Sequence, residues 1–266
     1  MILSDRRGVS MLKGSTIKSL FFVIVTLLFL ATCAKADRQD VDRHIIFLVD
    51  FSGSVEHNIE NYWKTIELVT GCSQDMKIKE TKICNKIRPK DMITIFKITG
   101  QSRRNADIIA DIYLKEKSWL ENKLKYGKRT VPVKKSFRDR IKEAFSNPVL
   151  AKNTEILAAI RLSQQYFETA GGKKKILIIL SDMIEESEFY NFAKMKVQPE
   201  QILEKEEKAG RLPNLAGITV YISGASANSS KKFDEIEKFW LAYFEKTGAS
   251  FASRDYYSSE LLGFSE

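Results

Sequence analysis

Oxygen-bearing side chains follow the first apolar segment of this chain at regular spacing. Asp50, Ser52 and Ser54 alternate directly after the apolar run at 45–49. Because side chains alternate along an extended backbone, one carboxylate and two hydroxyls should point toward the same spot. Carboxylate and hydroxyl oxygens, without nitrogen or sulfur, suit hard cations such as Mg²⁺, Mn²⁺ or Ca²⁺. The segment therefore predicts part of a divalent-cation site.

Two later segments supply further oxygen ligands. Thr154 offers a third hydroxyl where a helix is expected to begin, and Asp182 offers a second carboxylate after the apolar run at 176–180. Open α/β sheets bind ligands at the carboxyl ends of their strands, so these groups should meet Asp50 there. The alternative is that the hydroxyls only cap turns and helix ends, with Thr154 as an N-cap.

The elements that must position these side chains alternate between apolar strands and amphipathic helices. Strand–helix alternation predicts an α/β domain with a mostly parallel central sheet flanked by helices on both faces. Strands are predicted at 45–49, 92–98, 107–113, 176–180 and 218–222, with a short last one at 250–252. Helices are predicted at 58–70, 154–169 and 233–246.

The ligand segments also carry a family resemblance. In order they read Asp50-x-Ser52-x-Ser54, then Thr154-Glu155-Ile156-x-x-Ala159-Ile160, then Ser181-Asp182 after an apolar strand. This arrangement resembles the metal-ion-dependent adhesion site of von Willebrand factor type A domains, over residues 42–264.

The resemblance implies a Rossmann-like, doubly wound sheet holding one Mg²⁺, or Mn²⁺ or Ca²⁺ in its place. It implies that Ser52, Ser54 and Thr154 coordinate the ion through hydroxyls, while Asp50 and Asp182 act directly or through water. An acidic side chain of a partner protein would complete the octahedron around the ion. The resemblance therefore implies a role in protein–protein interaction or adhesion.

Two features depart from the family pattern. Met183 stands where members commonly have glycine, so the loop after Asp182 is expected to differ in shape or to act as a lid. A basic insertion at about 101–150 is longer than the minimal family layout requires.

A non-enzymatic role is favoured because no histidine that could act as a general base is evident near the site. One alternative is a Mg-dependent phosphotransferase-type hydrolase that uses Asp50 as nucleophile. Another is a scaffold that binds anionic surfaces through Lys115–Lys142, with the ion site vestigial.

Most of the positive charge is local. The chain carries a net charge of +9, and Lys115–Lys142 alone holds 11 basic and 3 acidic residues. This stretch is either an anion-binding patch or a solvated face whose lysine stems cover Trp119, Leu120 and Leu124. It is interrupted by Gly127 and Pro132 and contains no nucleic-acid-binding motif.

Residues 1–36 are predicted to be an export signal. A basic segment precedes the apolar run at 20–33, whose 14 residues fall short of the roughly 20 that span a bilayer. Cleavage after Ala36 is the favoured outcome, with a lipidated Cys33 or a retained anchor as alternatives. All three place the remainder outside the cytoplasm, periplasmic or secreted and possibly lipid-anchored.

The export signal changes how the cysteines are interpreted. Cys33 is either removed or lipidated, so Cys72 and Cys84 are the two thiols left in an oxidising compartment. We therefore expect these two residues to form a disulfide.

Overall fold

The computed structural model describes residues 40–75, 77–104 and 106–257. The predicted export signal, Cys33 and the end of the predicted domain at 258–264 lie outside the described residues. Six strands form one sheet: β1 (Arg43–Asp50), β2 (Asp91–Ile98), β3 (Asp107–Tyr113), β4 (Lys174–Leu180), β5 (Ile218–Ser223) and β6 (Tyr256–Tyr257).

The sheet is mostly parallel, as predicted. Its order is β3-β2-β1-β4-β5-β6, and β3 is the strand that runs antiparallel to its neighbour. All eight residues of β1 are buried, because the strand has a neighbour on each side and helices over both faces. The expected strand at 250–252 is reduced to one bridge, between Ser250 and Thr219, and the last strand lies further on.

Five α-helices cover the two faces of the sheet. They are α1 (Ile59–Thr70), α2 (Lys123–Ser146), α3 (Ile156–Ala170), α4 (Pro199–Lys208) and α5 (Ser230–Lys246). Apolar side chains of α1 and α2 pack on one face, and those of α3, α4 and α5 pack on the other. The chain therefore leaves β1 toward one face and β4 toward the opposite face, which opens a crevice between their carboxyl ends.

Helix α2 corrects the expectation that Gly127 and Pro132 interrupt the basic stretch. Both residues lie inside one continuous helix of 24 residues. Its N-cap is Asn122, whose side chain accepts a hydrogen bond of 2.8 Å from the Lys125 amide. The proline removes one backbone bond, to the carbonyl of Lys128, and the rest of this long surface helix is retained.

The predicted disulfide is confirmed. Cys72 and Cys84 are bonded, and both residues are fully buried. The ammonium of Lys134 on α2 donates to the carbonyls of Cys84 and Ile87, so the closed loop is fixed against that helix. Within the described residues, no helix is both long and apolar enough to cross a bilayer.

Candidate metal centre at the carboxyl edge of the sheet

Asp50 is the last residue of β1, and its carboxylate connects two loops. One oxygen, Oδ1, accepts a hydrogen bond of 2.7 Å from the Ser52 amide. The other, Oδ2, accepts one of 2.7 Å from the hydroxyl of Ser181. Both oxygens of this fully buried group are thus engaged, and they hold the loop after β1 against the loop after β4.

Three of the predicted ligands touch one another in a chain of hydrogen bonds. The hydroxyls of Ser52 and Ser54 lie 3.0 Å apart, and the Ser54 hydroxyl donates to Asp182 Oδ2 at 2.7 Å. Because that bond uses the single proton of Ser54, the Ser52 hydroxyl donates to Ser54. Ser52 and Asp182 are buried while Ser54 is exposed, so the cluster is open to solvent on one side.

The spacing of these oxygens fits a magnesium ion. Mg²⁺ binds oxygens at about 2.0–2.1 Å in an octahedron, which places adjacent ligand atoms about 2.9 Å apart. The two observed distances, 3.0 Å and 2.7 Å, lie on either side of that value. The hydroxyls of Ser52 and Ser54 and the carboxylate of Asp182 are therefore suited to hold Mg²⁺.

Thr154 reaches the same edge but not the cluster. Its backbone pairs with Glu186 in both directions, at 3.0 Å and 2.9 Å, while nearby Ala151 donates to the carbonyl of Phe51. The segment 151–154 is thus attached to both loops. Within the described structure, the Thr154 hydroxyl makes no hydrogen bond to the other predicted ligands. Thr154 is also not the N-cap of α3, because that position is Glu155.

The two carboxylates of the site repel each other electrostatically. Burial and then the charge of Asp182 raise the pKa of Asp50 to about 6. Burial is also the main cause that raises the pKa of Asp182, and Glu186 adds to the effect. A divalent cation between such groups would relieve this cost, because it favours their charged forms.

Met183 takes the backbone conformation that glycine favours. Its φ of 67° lies in the left-handed region, and its side chain is fully buried. Its amide donates to the Ser181 hydroxyl and its carbonyl accepts from the indole of Trp240. The loop after Asp182 is therefore held in place despite the missing glycine, at a cost of about 1–2 kcal/mol in backbone energy.

Glu185 is a residue whose place the sequence analysis missed. It is fully buried, and its carboxylate accepts a hydrogen bond of 3.0 Å from the Leu157 amide at the start of α3. Burial raises the pKa of Glu185 to about 7. In the sequence it is one of several glutamates after Asp182, and that run alone does not distinguish the buried residue from Glu188, which is exposed.

A cleft adjoins the cluster. It has a volume of about 600 Å³ and includes Ala151, which bridges to Ser52. Two lysines, Lys97 and Lys152, line it together with the carboxylate of Asp107. The cleft therefore has mixed charge with an excess of one positive group.

The predicted ligands at this edge include neither a His nor a Cys side chain. In the described part of the chain, no group of three or more His, Cys, Asp or Glu side chains is arranged to hold a metal. A site here depends on two carboxylates supplemented by hydroxyls, which is a donor set for a hard cation.

Comparison with known proteins found matches among solved structures. No family model matches the sequence, and no curated protein matches it. Eighteen chains of solved structures match. Among them are proximal thread matrix protein 1 from the mussel byssus (17% identity, TM-score 0.39), a von Willebrand factor type A protein from Catenulispora acidiphila (11%, 0.43) and an aerotolerance-related membrane protein from Bacteroides fragilis (13%, 0.33).

These matches cover 75%, 78% and 69% of this chain and 42%, 42% and 67% of the respective structures. The chain thus spans less than half the length of the first two. The observed sheet order and helix layers define the fold class, and the site stands on the geometry of this chain's own residues.

Proposed function

We propose that this protein is an exported interaction or adhesion protein that binds an acidic group of a partner through one divalent cation. The observation that carries the proposal is the hydrogen-bonded chain from Ser52 through Ser54 to Asp182, with oxygens spaced like adjacent corners of an octahedron. Mg²⁺ is the preferred ion, with Mn²⁺ or Ca²⁺ as substitutes.

Some residues of the site would bind the cation, and others position the loops that carry those ligands. Ser52, Ser54 and Asp182 present their oxygens to the cation, and the exposed side of Ser54 faces the partner. Asp50 positions the two loops, because both its oxygens are already bound by protein donors. Thr154 lies at the same edge, held by its backbone pair with Glu186, and would join the set as a ligand directly or through water. The bound cation supplies a Lewis-acidic position open to a carboxylate.

The neighbouring cleft favours an acidic partner. Lys97 and Lys152 line the cleft that adjoins the cluster through Ala151, where they would attract a second anionic group of the partner. Such exposed lysines contribute more to association rate and specificity than to affinity.

Binding is a better account than phosphotransfer by Asp50. A nucleophilic aspartate needs an oxygen free to attack phosphorus, whereas both oxygens of Asp50 accept hydrogen bonds and the residue is fully buried. His57, three residues after Ser54, is exposed on the 3₁₀ helix Gly53–Asn58.

Export is supported by the buried disulfide. Bridges of this kind persist in oxidising compartments and are rare in the cytosol. Cys72–Cys84 therefore agrees with the export signal predicted from residues 1–36.

Thermal unfolding with and without the ion tests the metal site. At a free ion concentration about 100 times the dissociation constant, binding stabilises by about 2.7 kcal/mol, which raises Tm by roughly 5–10 °C in a chain of this size. Asp182→Asn should remove the shift while keeping the hydrogen bond that the Ile184 amide donates. Asp234→Asn, which neutralises an exposed carboxylate on α5, is the matched control and should retain the shift.

Two results would contradict the proposal. One is the absence of any shift with millimolar Mg²⁺, Mn²⁺ or Ca²⁺. The other is an equal shift in wild type and Asp182→Asn. A second experiment tests the partner by passing an extract of the native envelope over the immobilised protein. A partner that binds through the cation should be released by chelator, and immobilised Asp182→Asn should not retain it.

A further inference from the structure

The turn that leads into α2 exposes three large apolar side chains. Trp119 is 88% exposed, Leu120 is 76% exposed and Leu124 is 69% exposed. Lysine stems do not cover them, so the solvated-face alternative for this part of the basic stretch is wrong. We call residues 115–128 the basic turn. Exposed large apolar side chains concentrated in one place mark interaction surfaces.

The basic turn is held in this shape by α2. The Glu121 amide donates to the Ser118 carbonyl at 2.9 Å, closing the turn that carries Trp119 and Leu120. The guanidinium of Arg129 then donates twice to the Glu121 carboxylate, at 3.1 Å and 3.0 Å. The apolar side chains are therefore exposed on a turn that hydrogen bonds and an ion pair hold in place.

The charge of the basic turn is directed outward. Each of its two carboxylates pairs with a cation of the same domain, Glu121 with Arg129 and Glu116 with Lys90, both at 3.0 Å. Three exposed lysines, Lys123, Lys125 and Lys128, form no ion pair within the described structure. The surface thus presents positive charges around protruding apolar groups.

The basic turn lies at the amino end of β1, opposite the candidate metal centre. Lys90, which pairs with Glu116, also pairs with Asp40 at 2.8 Å, just before β1. The metal centre begins at Asp50, the other end of a strand about 25 Å long. In sequence, the apolar run at 20–33 ends seven residues before Asp40.

We propose that the basic turn binds the surface of bilayers that contain anionic lipids. Trp119 and Leu120 would enter the headgroup region, where the amphipathic indole is favoured, while the three lysines contact lipid phosphates. The apolar side chains protrude and do not line a groove, which suits a deformable lipid surface better than a rigid partner. The domain would then present its metal centre away from the membrane. The inference does not depend on that metal centre.

Trp119 provides a local reporter for the test. The other two tryptophans, Trp63 and Trp240, are buried, so changes in emission and in acrylamide quenching report on Trp119. The full chain is mixed with vesicles of equimolar phosphatidylcholine and phosphatidylglycerol, and with vesicles of phosphatidylcholine alone. A blue shift and loss of quenching with the anionic vesicles, persisting in chelator, is the expected result.

Charge variants distinguish binding through the basic turn from non-specific attraction of a positively charged protein to anionic vesicles. Replacing Lys123, Lys125 and Lys128 by Gln should weaken vesicle binding about 100-fold, roughly fivefold for each lysine. The matched control replaces Lys196, Lys231 and Lys238, which are exposed elsewhere, by Gln, removing the same charge with little effect. Leu120→Ser should weaken binding and reduce the emission shift. All these side chains are exposed, so unfolding temperatures should match that of wild type.

The proposal is overturned if Trp119 stays open to acrylamide in the presence of anionic vesicles. It is also overturned if the two triple-lysine variants bind equally well, because the N-terminal apolar run is common to both. Protection of Trp119 that rises with protein concentration and ignores vesicles would identify a second copy of this chain as the occupant instead.

Discussion

Glu185 should make the folded protein less stable as pH rises, and its contribution can be measured separately from that of the other groups. Its carboxyl group is fully buried at the start of α3, and burial raises its pKa from 4.5 to about 7 against the opposing hydrogen bonds from Leu157 and Ser187. The folded state therefore binds this proton more tightly than the unfolded state does. The resulting stabilisation is fully present below about pH 4.5 and is lost as pH rises through about 7.

The rise in pKa sets the magnitude. At 1.36 kcal/mol for each pH unit, a change from 4.5 to about 7 corresponds to about 3 kcal/mol. Glu185→Gln keeps an oxygen acceptor for the Leu157 amide but cannot ionise. The variant should match wild type at about pH 4.5 and exceed it by up to about 3 kcal/mol at about pH 8.

Urea unfolding at several pH values, followed by the emission of the buried Trp63 and Trp240, measures the difference directly. Asp50 also contributes to the pH dependence of stability, but its contribution is the same in wild type and Glu185→Gln and cancels in their difference. Glu245→Gln, at an exposed position on α5, should leave the profile of wild type unchanged. Parallel profiles for wild type and Glu185→Gln would refute the reasoning, because a buried ionisable carboxyl requires them to diverge.

Three further substitutions test other parts of the structure by the free energy of unfolding. Met183→Gly should be about 1 kcal/mol more stable than Met183→Ala, because alanine keeps the energetic cost of the left-handed backbone and glycine does not. At most positions alanine is the more stable of the two, and that order here would contradict the left-handed backbone of Met183. Replacing both Cys72 and Cys84 by Ser should cost about 3 kcal/mol, and dithiothreitol should then have no further effect on Tm. Asp91→Asn should cost about 3–5 kcal/mol by removing the carboxylate that pairs with the buried Arg43 guanidinium, and a cost near zero would show that solvent reaches the pair.

Much of the candidate metal centre could be predicted from the sequence. Asp50 and Asp182 each follow a continuous apolar run, and parallel strands bring their carboxyl ends to one edge whatever the details of packing. The alternation expected from the sequence ends at Ser52, because Ser54 lies in the 3₁₀ helix Gly53–Asn58 and is positioned by that turn. The disulfide was predictable for a similar reason, since an export signal and two remaining cysteines favour pairing.

Other features depend on contacts between segments distant in sequence. The Thr154 hydroxyl stays outside the hydrogen-bonded chain because its segment is positioned by backbone pairs with loops far along the chain. Met183 keeps a left-handed backbone because the Trp240 indole and the Ser181 hydroxyl fix it from two sides. No local pattern encodes such contacts, and the missing glycine alone suggested a different loop.

By itself the sequence determined the strand pattern, the oxygen-bearing side chains of the candidate site and the basic character of residues 115–142, because each follows from residue type and local spacing. Only the tertiary structure decided which of those residues are buried. It raised the pKa of Glu185 by enclosing it, and it left Trp119 exposed by pairing Glu121 with Arg129 beneath the turn. Burial depends on which elements pack together, and hydrophobic residue types do not by themselves specify which side chains the fold covers.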